Sequence, residues 1–304
     1  MIPVLHAGAY WQLRSRALSL GSRRLIMGIV NITSDSFSDG GLYLDPSDAV
    51  AHGLRLLEEG ADILDLGAES TRPASQAGDI ASATVTAQQE QARLIPVIEG
   101  LLRARPDVVL SVDTYKAETA RAALDAGVEI INDVSGFLWD PEMASVCAQA
   151  NCGVVLMHTR GIPGEWGSQH HQSGQELLAM VQAGFAERLR IAEEAGIAAE
   201  HIVLDPGYGF GKRGNENYAL LARQHELLAF GRPLLAGLSR KSFLGKTASN
   251  RSLNSVPPSS EAIETASLAA LVAAILQGAS IVRVHSVRPA VEAAAIADAI
   301  IAAH

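Results

Sequence analysis

The chain has 304 residues, 48% of them hydrophobic, and a formal net charge of −9 at neutral pH. That charge excludes a general nucleic-acid or membrane-surface binder, so an anionic substrate would need a local cluster of Lys and Arg. The longest apolar run, Ala266 to Leu276, is too short to span a bilayer, Met1–Leu20 carries no secretory pattern, and Cys147 and Cys152 read as buried reduced thiols. These features predict a cytoplasmic protein without a membrane partner, large enough for one α/β barrel or two small domains.

Residues Met1 to Arg23 mix aromatic and basic residues without a clear period and predict a short extension, a hairpin that closes the bottom of a barrel. The opening strand ends at Asn31 and empties into a small, polar loop running to Gly41, with Phe37 as its one large apolar residue. Helical spacing follows from Pro46 to Glu59. A strand–turn–helix pattern then repeats. Its strands are expected at Asp62–Gly67, Val108–Asp113, Glu129–Asp133, Gly153–His158, Ile202–Asp205, Leu234–Ser239 and Ser280–His285. The intervening helices are expected near Gln88–Arg105, Lys116–Ala126, Glu142–Ala150, Gln175–Ala195, Glu216–Leu228, Glu261–Gln277 and Val287–Ala303. With the opening strand this makes a single (β/α)8 barrel over residues 24–304, preceded by the extension at 1–23, since strands apolar on both faces suit a closed parallel sheet. A doubly wound open sheet is the alternative, weakened because no Gly-x-Gly-x-x-Gly follows the first strand. Two long, small-residue-rich segments, Pro73–Val85 and Lys246–Ser260, follow strands and belong to the face where barrels carry function.

Each strand ends in a polar or ionisable group: Asn31, Glu69 to Arg72, Asp113, Asn132-Asp133, His158, Asp205, Ser239 to Ser242, and Arg283 with His285. For Asp133 or Ser70 a cap or turn role is at least as good an explanation, but eight strand ends together predict a polar pocket. Asp113, Asn132 and Asp205 are acceptors for a ring bearing amino and N–H donors, while Arg72, Arg283 and His285 are donors for a phosphate. Lys241 between them could bond a ring carbonyl or carry a lowered pKa, or serve as a Schiff-base lysine. A metal hydrolase is disfavoured because strand one carries Asn31-Ile32-Thr33 in place of a His-x-His.

In order, the motifs are Met27 to Gly41, Asp65-Leu66-Gly67-Ala68-Glu69-Ser70-Thr71-Arg72-Pro73, Ser111-Val112-Asp113-Thr114, Ile130 to Asp133, Leu156-Met157-His158, Leu204 to Lys212, Ser239 to Gly245 and Arg283-Val284-His285. This set, collinear from about Arg24 to the C-terminus, resembles the dihydropteroate synthases, the folate-pathway enzymes that sulfonamides inhibit. The resemblance implies a transferase that condenses 6-hydroxymethyl-7,8-dihydropterin pyrophosphate with p-aminobenzoate, giving 7,8-dihydropteroate and pyrophosphate by dissociative substitution. It also implies Mg²⁺ and a homodimer. Carried onto matching positions, Asp113, Asn132, Asp205 and Lys241 would hold the pterin. Asn31, Arg72, Arg283 and His285 would hold the pyrophosphate, with Asn31 on the Mg²⁺ side. Phe37, Thr71, Pro73, Phe210 and Lys241 would line the p-aminobenzoate site, Ser242 would meet its carboxylate, and loops around Asp35 and Arg72 would exclude water. The chain departs from the family pattern at Ser34, Ala74, the longer Ser75–Val85 segment and Ser286. Pterin-dependent methyltransferases share the barrel and its acceptors but need neither the arylamine wall nor the last-strand donors. A pterin-binding paralogue without activity is the non-enzyme alternative.

Overall fold

The computed structural model describes residues 9–21, 23–32, 45–69, 85–250 and 258–303. Two short antiparallel strands come first, β1 (Tyr10–Gln12) and β2 (Ala17–Ser19). Eight parallel strands then close into a barrel in which the last pairs back onto the first. They are β3 (Leu25–Asn31), β4 (Ile63–Gly67), β5 (Leu110–Asp113), β6 (Ile130–Asp133), β7 (Gly153–Met157), β8 (Ile202–Asp205), β9 (Leu234–Ala236) and β10 (Ala279–Val284). Around them lie α1 (Pro46–Glu58), α2 (Ala87–Ala104), α3 (Ala117–Asp125), α4 (Met143–Ala150), α5 (Gly174–Glu194), α6 (Asn215–Ala222), α7 (Ser242–Asn250), α8 (Ser260–Leu276) and α9 (Val287–Ala302). The sheet is therefore the expected closed (β/α)8 barrel and not an open one.

The period-two alternation of side chains sorts every strand into two environments. Outward residues such as Ile26, Leu64, Val112, Leu156 and Val282 pack under the helices in the main core. Inward residues from the lower half, among them Met27, Ile63, Ile130, Val155, Val203 and Ile281, form a second apolar cluster inside the barrel. Trp11, Leu13 and Leu20 of the hairpin belong to that inner cluster. The hairpin thus stoppers the floor, as expected, and the Trp11 indole N–H donates to the His201 carbonyl at 2.8 Å.

Element ends follow local chemistry. Thr86 with Gln89, and Ser173 with Glu176, form reciprocal capping boxes that start α2 and α5 one residue before the apolar spacing suggests. The helix expected at Glu216–Leu228 divides at Arg223 into α6 and a tighter 3₁₀ segment, Gln224–Phe230. There the buried Gln224 amide is drawn inward, accepting from the Tyr208 hydroxyl at 2.8 Å and donating to the Ala274 carbonyl at 3.0 Å. Helix α7, absent from the expected helices, takes in the first residues of Lys246–Ser260, one of the two long segments assigned to the functional face. Small polar residues and Gly245 hide that helix from periodicity, and Phe243 and Leu244 are what it buries.

Because Trp11 is fully buried at the floor, far from the strand C-termini, Trp11→Ala should lower stability by about 3–5 kcal/mol with little effect on substrate KM. Urea denaturation and steady-state kinetics of the variant check both halves of that expectation.

Candidate active site

Toward the C-terminal ends of the strands the inner face turns polar. Asp65 is its hub. Fully buried, it accepts from Ser111 Oγ at 2.6 Å through one oxygen. Its other oxygen takes Asn132 Nδ2 at 3.0 Å and Arg283 Nε at 2.6 Å. Arg283 continues the chain, donating from Nη2 to Asp113 at 2.8 Å. Asn132 spends its amide N–H on Asp65, so its carbonyl oxygen remains an acceptor. The register places Asn31, Gly67, Asp113 and Asn132 side by side across four adjacent strands. Gly67 leaves the space between Asn31 and Asp113 free of a side chain.

One guanidinium serves two carboxylates, and the imbalance governs their protonation. Burial pushes the Asp113 carboxyl up to about 7, with Arg283 opposing and Asp65 adding to the rise. Burial also works against the Arg283 charge, but Asp65 and Asp113 outweigh it and hold the guanidinium above its usual value.

A second group faces the first. Asp205 accepts the Gly207 backbone N–H at 2.7 Å, and burial raises its carboxyl despite that bond and the nearby Lys241. Burial draws the Lys241 ammonium down to about 8, against the pull of Asp205 and Asp113. Its Nζ lies 4.1 Å from the centre of the Phe210 ring, a cation–π contact. Phe210 in turn stands edge-on to Trp166 at 5.3 Å.

The loop from Pro206 to Lys212 that carries Phe210 is built to hold one shape. Gly207 has φ +68°, and a Cβ there would collide with the His158 carbonyl. Lys212 is buried and donates to the carbonyls of His158 at 3.1 Å, Gly207 at 2.8 Å and Phe210 at 3.4 Å. Burial moves its ammonium well below the usual lysine value. Asn217 accepts the Gly209 N–H at 2.7 Å and closes the loop from the helix side.

Of the residues predicted from sequence, Asp113, Asn132 and Arg283 meet through Asp65, and Asp205, Lys241 and Phe210 form the facing group. His285 follows β10 on the inward phase, with Nδ1 at 3.0 Å from Ser239 Oγ. Ser242 is exposed at the start of α7. Asp35, Phe37, Thr71, Arg72 and Pro73 lie outside the described residues. Two strand-end groups do not join the pocket, because they fall on the outward phase. Asp133 takes the Ser135 and Phe137 backbone N–H groups, each at 2.8 Å, as a turn former. His158 is buried against Gly184 of α5. Asp65 and Ser111 were quoted within motifs and given no role. The available signal was a lone charge in the otherwise apolar strand Ile63–Gly67.

The fold and this cup define an α/β-barrel enzyme whose site offers acceptors to a nitrogen heterocycle and cations to an anion. A family of pterin binding enzymes matches residues 27–285. Dihydropteroate synthase of Mycobacterium leprae is 42% identical over 90% of this chain and 92% of its own length, and that of Escherichia coli is 41% identical over 91% and 92%. Among solved structures, the Xanthomonas albilineans dihydropteroate synthase with 4-aminobenzoic acid superposes with a TM-score of 0.84 at 41% identity, covering 97% of this chain and 99% of that one. The chain belongs to the dihydropteroate synthase family of pterin binding enzymes. No helix among the described residues is long and apolar enough to cross a membrane.

The Asp113 shift makes a sign-definite prediction. Native Asp113 keeps its proton to about pH 7, whereas the unfolded carboxyl releases it near 3.8, so the native state binds more protons between those limits. Asp113 should therefore make stability fall as pH rises through that window and then level off. In Asp113→Asn this contribution disappears, and a pH series of urea midpoints should show a shallower fall than in the wild type.

Proposed function

We propose that this chain is an active dihydropteroate synthase, joining 6-hydroxymethyl-7,8-dihydropterin pyrophosphate to p-aminobenzoate with release of pyrophosphate. The observation that carries this reading is the convergence of Asp113, Asn132 and Asp205 as acceptors with Lys241 and Arg283 as cations in one cup. Family membership agrees, and the Xanthomonas enzyme has also been solved with 7,8-dihydropteroate.

On this reading the pterin lies with its amino and N–H donors toward Asp113, Asn132 and Asp205 and its ring carbonyl toward Lys241. Bound donors would favour the ionised form of Asp113, so the substrate relieves the charge imbalance that burial creates. Asn31, Arg72, Arg283 and His285 receive the pyrophosphate. The methylene carbon–oxygen bond breaks with its electron pair leaving on pyrophosphate, and positive charge spreads into the pterin ring. The carboxylates of Asp113 and Asp205 stabilise that charge. The arylamine lone pair then attacks the carbon and a proton is lost from nitrogen. Phe37, Thr71, Pro73 and Phe210 wall the arylamine, Ser242 meets its carboxylate, and Asp35 and Arg72 sit on segments that exclude water.

Mg²⁺ fits this arrangement in one way. The half-buried Asn31 offers a single amide oxygen at the rim, and no group of three or more His, Cys, Asp or Glu among the described residues forms a metal cage. Such a donor set suits a cation held by one protein oxygen and substrate phosphates, where it would neutralise the departing pyrophosphate. We place the enzyme in the cytoplasm, with residues 24–304 as its barrel and 1–23 as an extension. We expect a homodimer, supported by the exposed pair Ile296 and Ile300, one turn apart on α9.

The direct test supplies both substrates and Mg²⁺ and measures pyrophosphate and dihydropteroate. Formation of both is expected, with sulfonamides competing against p-aminobenzoate; absence of product would remove the reading. Lys241→Ala and Asp205→Asn should each lower activity by at least ~10²-fold in a folded protein. The pH profile of kcat/KM for the pterin substrate should be a narrow bell. Its acid limb near 7 reflects ionisation of Asp113, and its alkaline limb near 8 reflects loss of the Lys241 cation. Lys241→Arg should abolish the alkaline limb, because a guanidinium stays charged.

A further inference from the structure

Between β9 and α7 the chain makes a turn that is both strained and held. Arg240 has φ +58°, a left-handed conformation that residues with a Cβ rarely adopt. It immediately precedes Lys241 and Ser242. Its backbone N–H donates to Ser267 Oγ at 2.9 Å, and that hydroxyl donates onward to the Ile263 carbonyl at 2.7 Å within α8. Its guanidinium lies 3.5 Å from Glu264 and donates to Ser286 at 3.2 Å. Ser267 and Glu264 are three residues apart and so share a face of α8, one gripping the Arg240 backbone and the other its side chain.

We propose that Ser267, assisted by Glu264, is a positioning residue that acts through Arg240 to set Lys241 and Ser242 at the mouth of the cup. This rests on the reading of Lys241 and Ser242 as substrate contacts. Two observations separate the role from ordinary packing. First, the other buried residues of α8 are Ala270, Leu271, Ala274 and Ile275, so Ser267 puts a hydroxyl on an otherwise apolar buried face, where it meets the preceding turn. Second, the hydroxyl meets the backbone at the strained residue itself, where a small change in φ would swing the next side chain. Lys241 has little freedom to absorb such a swing, since its ammonium must stay over Phe210 and within the field of Asp205 on β8, Asp113 on β5 and Arg283 on β10. The two grips differ in strength. The Arg240 and Glu264 side chains are 52% and 24% exposed, so their ion pair is weak, whereas Ser267 is 4% exposed. Ser267 should therefore dominate.

The experiment compares Ser267→Ala, Ser267→Thr, Glu264→Gln and the double variant Ser267→Ala/Arg240→Gly with the wild type, with Lys241→Ala as control. Ser267→Ala is expected to lower kcat/KM for p-aminobenzoate roughly 10-fold, about the equivalent of one hydrogen bond. Its alkaline limb should also move up from near 8 toward the ordinary lysine value, as Lys241 slips toward water. Threonine supplies the same hydroxyl and should restore both readouts, while Glu264→Gln should have the smaller effect. Glycine at 240 accepts the left-handed angle without strain, so the double variant should recover part of the loss. Wild-type kinetics and an unmoved limb in Ser267→Ala would overturn the proposal. So would a loss of activity that follows the unfolded fraction alone, with the limb in place. Full activity in Lys241→Ala would be a different failure, one that removes the assignment of Lys241 and the positioning role with it.

Discussion

A carboxylate sealed inside the barrel is the constraint on which the rest of the site depends. Asp65 is fully buried, and an unpaired charge there would be too costly to keep. Ser111, Asn132 and Arg283 each spend a donor on it, and in doing so each becomes fixed in direction. Asn132 is left with its carbonyl oxygen as an acceptor, and Arg283 with an arm that reaches Asp113. Orientation of the polar groups that line the cup is thus a by-product of satisfying a residue below them. The arrangement is also one cation short, which is why burial can drive Asp113 so far from its ordinary range. A ring rich in N–H donors, set against Asp113, answers that deficit, so this end of the cup selects for hydrogen-bond donors while the cations serve an anion elsewhere in it.

The same alternation that aims these groups inward fills the barrel floor with apolar side chains. Floor and cup are one inner face read at two depths. Trp11 and its hairpin complete the lower layer, while the upper layer keeps its polar groups at the strand ends, where loops can reach them. Stability and chemistry are therefore housed at opposite ends of one sheet. Changes at the floor can be large in stability and small in function, and changes at the top the reverse.

Much of this was legible in the sequence. Eight short apolar runs, each ending in a polar residue and followed by helical spacing, define the barrel without reference to any relative. Asp113, Asn132, Asp205, Lys241 and Arg283 were legible too, as acceptors and cations at strand ends. What was not legible was phase. Asn132 and Asp133 are neighbours at one strand end, yet one faces the cup and the other ties down a turn, because side chains alternate. The same rule turns Met157 inward and His158 toward α5. Asp65 escaped for the opposite reason: it sits in mid-strand, and attention to strand ends passes over it. Helix α7 escaped because its residues are small and polar and it buries a single short patch. None of these required new chemistry, only the registry that pairing between strands imposes.

That registry also explains how a site without an activated nucleophile can be demanding in its construction. If the reaction proceeds by departure of pyrophosphate, the enzyme must replace water around a developing cation with fixed dipoles and charges. Fixed groups are useful there only if they do not relax. The Pro206–Lys212 loop meets that condition by removing alternatives. Gly207 occupies a place where a Cβ has no room, and the buried Lys212 ammonium ties together carbonyls from two segments. Lys212 is a cation beside Asp205 and Lys241, yet burial pulls it toward the neutral form. The three carbonyls it meets, of His158, Gly207 and Phe210, each take one N–H of the ammonium and so oppose that pull. A residue that touches no substrate on this reading thereby holds the shape of the loop that carries the aromatic wall.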